Sequence, residues 1–450
     1  MGWFHSAARF TDLSPYLPWL LVGGPCVAGH RRRLDGRSAM NRSIDASMKR
    51  FSEKQWLVIL LALLQFIILS DYLVLMPMGP MLMDTFRLDT RQFAGLVSIY
   101  SIGAIFIAFT TAGVLDRFDR FRSLQLVFLC FLAISALHLL VNDYRVLLLL
   151  RFFAGGAAGL IGSLIMSVIS QKFVSNRRGR VIGIVLSATS ICQIVGIPAG
   201  LFLVTRYGWK APFLLNALLG LVVCLFLLRI QPERNPVRRE RPVGNQMLRI
   251  AREPFHLQAM VCTLLTMLAG NLIVPFLPLL LVFRHGVPEN EMGGIYLIAG
   301  LVAFGGSLLA GKVSERGNGR FAIYLVSSLG MIPLLVFAFA GAMPGWGVVG
   351  VFAICNALLI TRMIPTNRFI MEFIHPDLLG GFQSINTALM HIGASSAAWI
   401  GGFLISVEDG KMLGFEHAVF ASISATCLVF VIVSVGFRSR PESSGQGSGL

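Results

Sequence analysis

Between residues 56 and 437, apolar runs of about twenty residues follow one another about twelve times, each closed by charge or by a turn. Crossing a hydrocarbon core of roughly 30 Å takes about 20 apolar residues in a helix, so each run is long enough to span a bilayer. The spans lie at 56–78, 91–115, 122–141, 145–170, 180–203, 210–228, 257–283, 289–311, 321–342, 345–368, 379–405 and 415–437. In lipid a segment must satisfy its own backbone polar groups, which a helix does alone. A transmembrane barrel would instead show shorter segments of alternating polarity. The expected fold class is therefore an all-α membrane protein with twelve transmembrane helices. At 55% hydrophobic and 13% charged residues, the chain is too apolar for a soluble globular protein.

A net charge of +16 could suggest nucleic acid, but its placement argues against that partner. Lys and Arg gather in alternate connections. Arg117, Arg120 and Arg122 follow span two, Lys172, Arg177, Arg178 and Arg180 follow span four, and Lys312, Arg316 and Arg320 follow span eight. The connections between, such as "NDYR" and "AMPGW", are short and nearly neutral. This is the positive-inside pattern, and it puts both termini in the cytoplasm. The seven cysteines are scattered, mostly in apolar spans, without CxxC spacing, and read as small core residues rather than as metal ligands or disulfides.

Residues 1–55 stand outside the pattern as a basic cytoplasmic tail or an over-extended start, with Met40 and Met48 both shortly before the first span. The longest polar stretch between spans is the Arg- and Pro-rich 229–256, which divides the helices six and six. The organisation expected is a six-helix bundle over 56–228, a cytoplasmic linker, a second bundle over 257–438, and a disordered tail over 439–450. A local repeat supports duplication: "AGVLDRFDR" after span two is answered by "AGKVSERGN" after span eight, so that Asp116 and Arg117 match Glu315 and Arg316.

Ionisable residues inside spans are costly and usually functional. Asp71 lies fifteen residues beyond Trp56, a rise of roughly 22 Å at about 1.5 Å per residue. Arg151 lies six residues into a helix entering from the opposite side, at a depth of roughly 9 Å, so the two can share a level. A buried carboxylate beside a movable cation can take up and release a proton as its surroundings change. The alternatives are a static ion pair for Asp71 and snorkelling to the interface for Arg151. Arg362, in "LLITRMIPTNRF", either meets an anionic group of a solute or is held by a carboxylate or backbone carbonyls. Arg368 and Glu372, four apart, read as a helix-surface ion pair. Asn271, Gln193, Asn386 and His391 are candidates for a cavity wall, or for hydrogen bonds between helices. In "VGIPAG", Gly196, Pro198 and Gly200 permit a bend and a close helix approach in span five.

The chain resembles the major facilitator superfamily. The loop "AGVLDRFDR" is similar to its signature after span two, with Asp116 and Arg117 matching and Asp119 in place of the second Gly, as in arabinose-efflux-permease-like members. "DYLVLMPMGPML" and "VGIPAGLFLVTRYGWKAPF" fit the same branch, the latter similar to the antiporter motif of drug:proton exchangers, although Ile197 interrupts its Gly-Pro. The resemblance implies two pseudo-symmetric six-helix bundles, a gate at Asp116, Arg117 and Arg120, and a proton-linked arginine at Arg151, in "LLLLRFFAGG". The function expected is proton-coupled efflux of a small organic solute, drug-like or sugar, across the inner or plasma membrane. The alternatives are a proton-coupled importer, or a receptor or enzyme on the same scaffold. No P-loop, HExxH or Gly-x-Ser-x-Gly context is present, so neither an ATP-driven pump nor an enzyme is expected. The expected partners are a solute, protons and the bilayer, with no cofactor or metal, acting as a monomer.

Overall fold

The computed structural model describes residues 54–115, 118–230, 253–316, 319–340, 343–374 and 378–436. Most of the expected tails and linker, together with Asp116, Arg117, Met40 and Met48, lies outside the described residues. Twelve long helices follow the apolar runs: α1 Lys54–Val74, α2 Thr90–Leu115, α3 Arg120–Leu140, α4 Tyr144–Lys172, α5 Arg177–Tyr207, α6 Ala211–Arg229, α7 Pro254–Phe283, α8 Met292–Arg316, α9 Gly319–Phe339, α10 Gly345–Met371, α11 Leu379–Leu404 and α12 Phe415–Gly436. Eleven are long and apolar enough to cross a membrane by length and composition. The exception, α11, has 26 residues, about 39 Å of helix, and is diluted by Gly, Ser, Asn, Gln and His.

Local chemistry sets the helix ends. Asp119 caps α3, its carboxylate accepting from Arg122 N at 2.9 Å, and Asp143 caps α4 by accepting from Arg145 N at 2.7 Å. The second aspartate of "DRFDR" thus begins a helix, which accounts physically for Asp rather than Gly at 119. Prolines break three helices. Pro275 and Pro278 accompany a 3₁₀ turn at Val274–Phe276 in α7, Pro198 follows a π-helical turn at Cys192–Gly196 in α5, and Pro365 follows the break at Arg362 in α10. Two elements escaped the sequence reading: a short helix, Gly79–Phe86, between α1 and α2, and a hairpin of β1 Ser406–Glu408 and β2 Lys411–Leu413, in the register Ser406↔Leu413, between α11 and α12. Its turn, Asp409 (φ 50°) and Gly410 (φ 71°), is the two-residue Asp-Gly type that matches strand twist.

Among the described residues, three apolar cores organise the fold. One is drawn only from residues 57–227 and another only from residues 259–433. The third joins both halves, from Val74 and Leu201 to Phe276, Tyr296 and Phe415, at the end of the molecule holding the α1–α2, α5–α6, α7–α8 and α11–α12 connections. Two helix pairs cross between the halves there. A Cβ on Gly300 of α8 would meet the Gln193 carbonyl of α5 at 2.5 Å, and one on Gly402 of α11 would strike Ala94 of α2. Ser98 Oγ on α2 donates to the Ser395 carbonyl on α11 at 3.0 Å. The halves are therefore packed together at this end and keep separate cores toward the other.

Candidate functional site

Asp71 and Arg151 meet. Near the end of α1, Asp71 is 2% exposed, and Arg151 on α4 is fully buried. Arg151 Nη1 donates to Asp71 Oδ2 at 2.9 Å and to the Asp71 carbonyl at 3.2 Å. The guanidinium lies 4.5 Å over the Tyr100 ring of α2, which in turn lies 5.0 Å from the Tyr72 ring. Backbone contact between α2 and α4 makes this possible, because a side chain on Gly155 would collide with the Tyr100 carbonyl and one on Gly103 with the Phe152 carbonyl. Arg151 is held inward, buried among α1, α2 and α4. Asp71 Oδ1 and Arg151 Nε and Nη2 are buried without an acceptor or donor among the described residues. Removing either charge from such a pair strands the other, at a cost of about 3–5 kcal/mol.

In the second half, Arg362 is 5% exposed, and its Nη2 donates to the Thr266 carbonyl of α7 at 2.8 Å. Gly270 lies against the same nitrogen, and Arg362 Nε has no acceptor among the described residues. Its hydrogen bond is thus to a backbone carbonyl, and no carboxylate pairs with it among the described residues.

Between the halves, a small cleft of about 40 Å³ is lined by Leu73, Met76, Gln193, Ile197, Asn356 and Ile360, with Pro77, Val274, Tyr296 and Gly300 completing it. Gln193 is thus in a cavity wall. Asn356 and Tyr296 join it without a sequence signal, since one amide or phenol in an apolar span looks like any other. Asn271 instead donates to the Met267 carbonyl of its own helix at 3.0 Å. Asn386 is fully buried in α11 with neither amide atom partnered among the described residues, and His391 is partly buried on the same helix. Gly196, Pro198 and Gly200 lie in and just after the π turn of α5, where a Cβ on Gly200 would meet Val74 of α1 at 3.0 Å.

At the opposite end, Arg120 donates to the Ser167 hydroxyl of α4, tying the start of α3 to its neighbour. Glu315 is exposed near the end of α8, and the Arg316 side chain lies outside the described residues. Arg368 and Glu372 form the anticipated exposed i,i+4 pair at 3.9 Å. A second ion pair was not anticipated: Arg284 Nη1 to Glu416 Oε1 at 2.7 Å, with Arg284 Nη2 also donating to the Ala338 carbonyl at 3.0 Å, clasps α7, α9 and α12. Of the described cysteines, all are free, and four are buried.

A multi-pass helical molecule with a cleft between two packed halves and one embedded ion pair is the architecture of a membrane transporter. The sequence profile of the Major Facilitator Superfamily matches residues 61–398, and the chain belongs to that superfamily. It is 25% identical over 362 residues to an uncharacterised MFS-type transporter, YceJ, of Bacillus subtilis, covering 79% of this chain and 91% of the relative. It is 19% identical over 358 residues to a probable sugar efflux transporter of Mannheimia succiniciproducens, covering 80% and 88%. The crystal structure of the nucleoside transporter NupG superposes with a TM-score of 0.66 at 14% identity, over 85% of this chain and 99% of that one, a likeness of fold.

Proposed function

We propose that this transporter exports a small organic solute, drug-like or sugar, in exchange for protons, by alternating access in the inner or plasma membrane with both termini cytoplasmic. The observation that carries the reading is the buried Asp71–Arg151 pair, whose Asp71 keeps one oxygen without a donor. A proton on that oxygen discharges the carboxylate and leaves Arg151 as an uncompensated buried cation. A rearrangement of α1 against α4 relieves that state, so proton occupancy and conformation become linked. On the positive-inside orientation the packed end faces outward and the separated cores face the cytoplasm. Solute enters the cleft past Gln193, and Arg362, Asn271, Asn386 and His391 come to face it from the second half as the halves rock. Asp116, Arg117 and Arg120, with Glu315 and Arg316 in the repeat, gate the cytoplasmic end when the halves rock, and the bend at Gly196, Pro198 and Gly200 supplies the flexing element. The protein works as a monomer. The efflux named for one relative favours the outward direction.

Everted vesicles with an acid lumen test this. Solutes selected by thermal shift should accumulate in the lumen while dissipating the proton gradient, whereas a proton symporter would drive them the other way. Asp71→Asn copies the shape of a permanently protonated acid, so it should abolish gradient-driven accumulation and retain solute binding. Accumulation by Asp71→Asn with an unchanged pH profile would put the proton elsewhere.

A further inference from the structure

His138, at the end of α3, is fully buried, and the exchange between Asp71 and Arg151 leaves it unused. Its ring stacks on Phe213 of α6, with centroids 4.5 Å apart and planes 10° from parallel. Nδ1 lies 2.8 Å from the Ile134 carbonyl, one turn back on α3. A carbonyl only accepts, so Nδ1 carries the hydrogen of the neutral ring and Nε2 presents a bare lone pair. That nitrogen is buried and has no donor among the described residues. A phenylalanine would give the same stack without stranding a polar atom, so packing alone does not explain an imidazole here.

The ring stands between one end of the first half and the ion pair. His138 is two residues from the end of α3, Arg151 is seven residues into α4, and the two helices join through residues 141–143. At about 1.5 Å per residue, His138 is roughly 7 Å nearer that connection than Arg151. The connection faces outward in the orientation proposed above. The charges of Asp71 on α1 and Arg151 on α4 both act on the ring. Other ionic groups at this end are engaged or exposed: Lys210 of α6 donates to Asn142 at 3.1 Å, Asp143 caps α4, and Arg145 is exposed. Asp71 Oδ1 is the matching vacancy, an acceptor without a donor among the described residues. We propose that His138 is the outward proton-loading residue of the coupling site, taking a proton on Nε2 and passing it to Asp71 Oδ1, a step that rests on the coupling reading and adds a residue to it. The Nε2–H bond breaks as the Oδ1–H bond forms. The imidazole returns to its neutral Nδ1–H form, and Asp71 becomes the neutral acid that releases Arg151. Because Arg151 repels a cation on the ring, His138 carries the proton only in passing. Phe213, stacked on the ring, belongs to the core shared by both halves, so loading belongs to the state in which that core has parted.

The experiment uses full-length protein in lipid nanodiscs and needs no solute. A pH jump from mildly alkaline to mildly acid is followed by time-resolved infrared absorption of the protonated carboxyl group, with the Asp71 band identified as the one missing in Asp71→Asn. His138→Asn keeps an N–H for the Ile134 carbonyl but cannot carry a proton, and His138→Phe keeps the stack on Phe213. In both variants the Asp71 band should rise about 100-fold more slowly, the low end of what a placed proton-transfer group contributes. Its final size and the unfolding temperature should stay close to the wild type. A role confined to packing would leave the rate alone. The proposal is overturned if either variant protonates Asp71 at the wild-type rate, if only the final size of the band changes, or if both variants unfold well below the wild type and so mark His138 as a structural prop. The coupling reading fails separately, if wild-type protein shows no Asp71 band at any pH at which it stays folded.

Discussion

Arg151 shows how much a single side chain depends on its neighbours. Its carboxylate partner and its depth follow from helical rise along two spans, and both are legible in the sequence. The Tyr100 ring beneath it is not, because an aromatic in an apolar span carries no positional signal until α2 and α4 are packed. Arg151→Lys keeps the charge but loses the planar guanidinium, whose Nη1 serves both the Asp71 carboxylate and its carbonyl and which lies over the Tyr100 ring. The expected outcome is a displaced pH profile of transport with the protein still folded, measured as initial rates over a pH series. A change in amount alone, with the profile fixed, would assign Arg151 to packing. Arg362 was legible as an embedded charge, but its partners were not, since nothing in a linear chain tells a carbonyl of α7 from a carboxylate elsewhere.

At the scale of helices, close approach separates two kinds of glycine. Gly155 brings α4 onto the Tyr100 carbonyl of α2, within one half, whereas Gly300 brings α8 onto the Gln193 carbonyl of α5, across the halves. Gly155→Val should therefore destabilise the fold by about 1–3 kcal/mol or more, through overpacking with no second arrangement to escape to. It should appear as a lowered unfolding temperature. Gly300→Val meets its obstruction only while the two halves are packed at this end. A penalty of about 1–3 kcal/mol should then shift the population roughly 5–150-fold toward the opposite state. The reading is alkylation of a cysteine placed at Asn356, from each side of the membrane in turn. Unchanged labelling together with a lowered unfolding temperature would show that the α5–α8 contact is not a moving one.

At the scale of the whole molecule, one core is shared by both halves at one end and separate cores lie beyond it, which the proposed alternating access makes one state of a cycle. Ser98 and Ser395 mark its closed end, with the hydroxyl 3.0 Å from the opposing carbonyl. Cysteines at both positions, joined by a short thiol crosslinker, should hold that end shut and stop transport, with activity restored on cleavage of the linker. Each single cysteine should transport normally. Crosslinked protein that completes full cycles would rule out rocking of the halves about this contact.

The order of twelve helices, their approximate ends and the embedded charges follow from the sequence, because lipid imposes a length and an apolarity on each crossing regardless of what the helix touches. Even α11, less apolar than the others, shows in the spacing of its neighbours. The hairpin at 406–413 was missed, since its strands of three residues are too short to carry a period. Which faces meet was settled only in three dimensions. Residues on every side of a membrane helix are apolar, so hydrophobicity, which marks the buried face of a soluble helix, distinguishes no face here. The meeting of Asp71 with Arg151, the bareness of Gly270 beside Arg362, and the place of Asn356 in the cleft depend instead on small residues letting backbones touch, and those contacts exist only once both partners are in place.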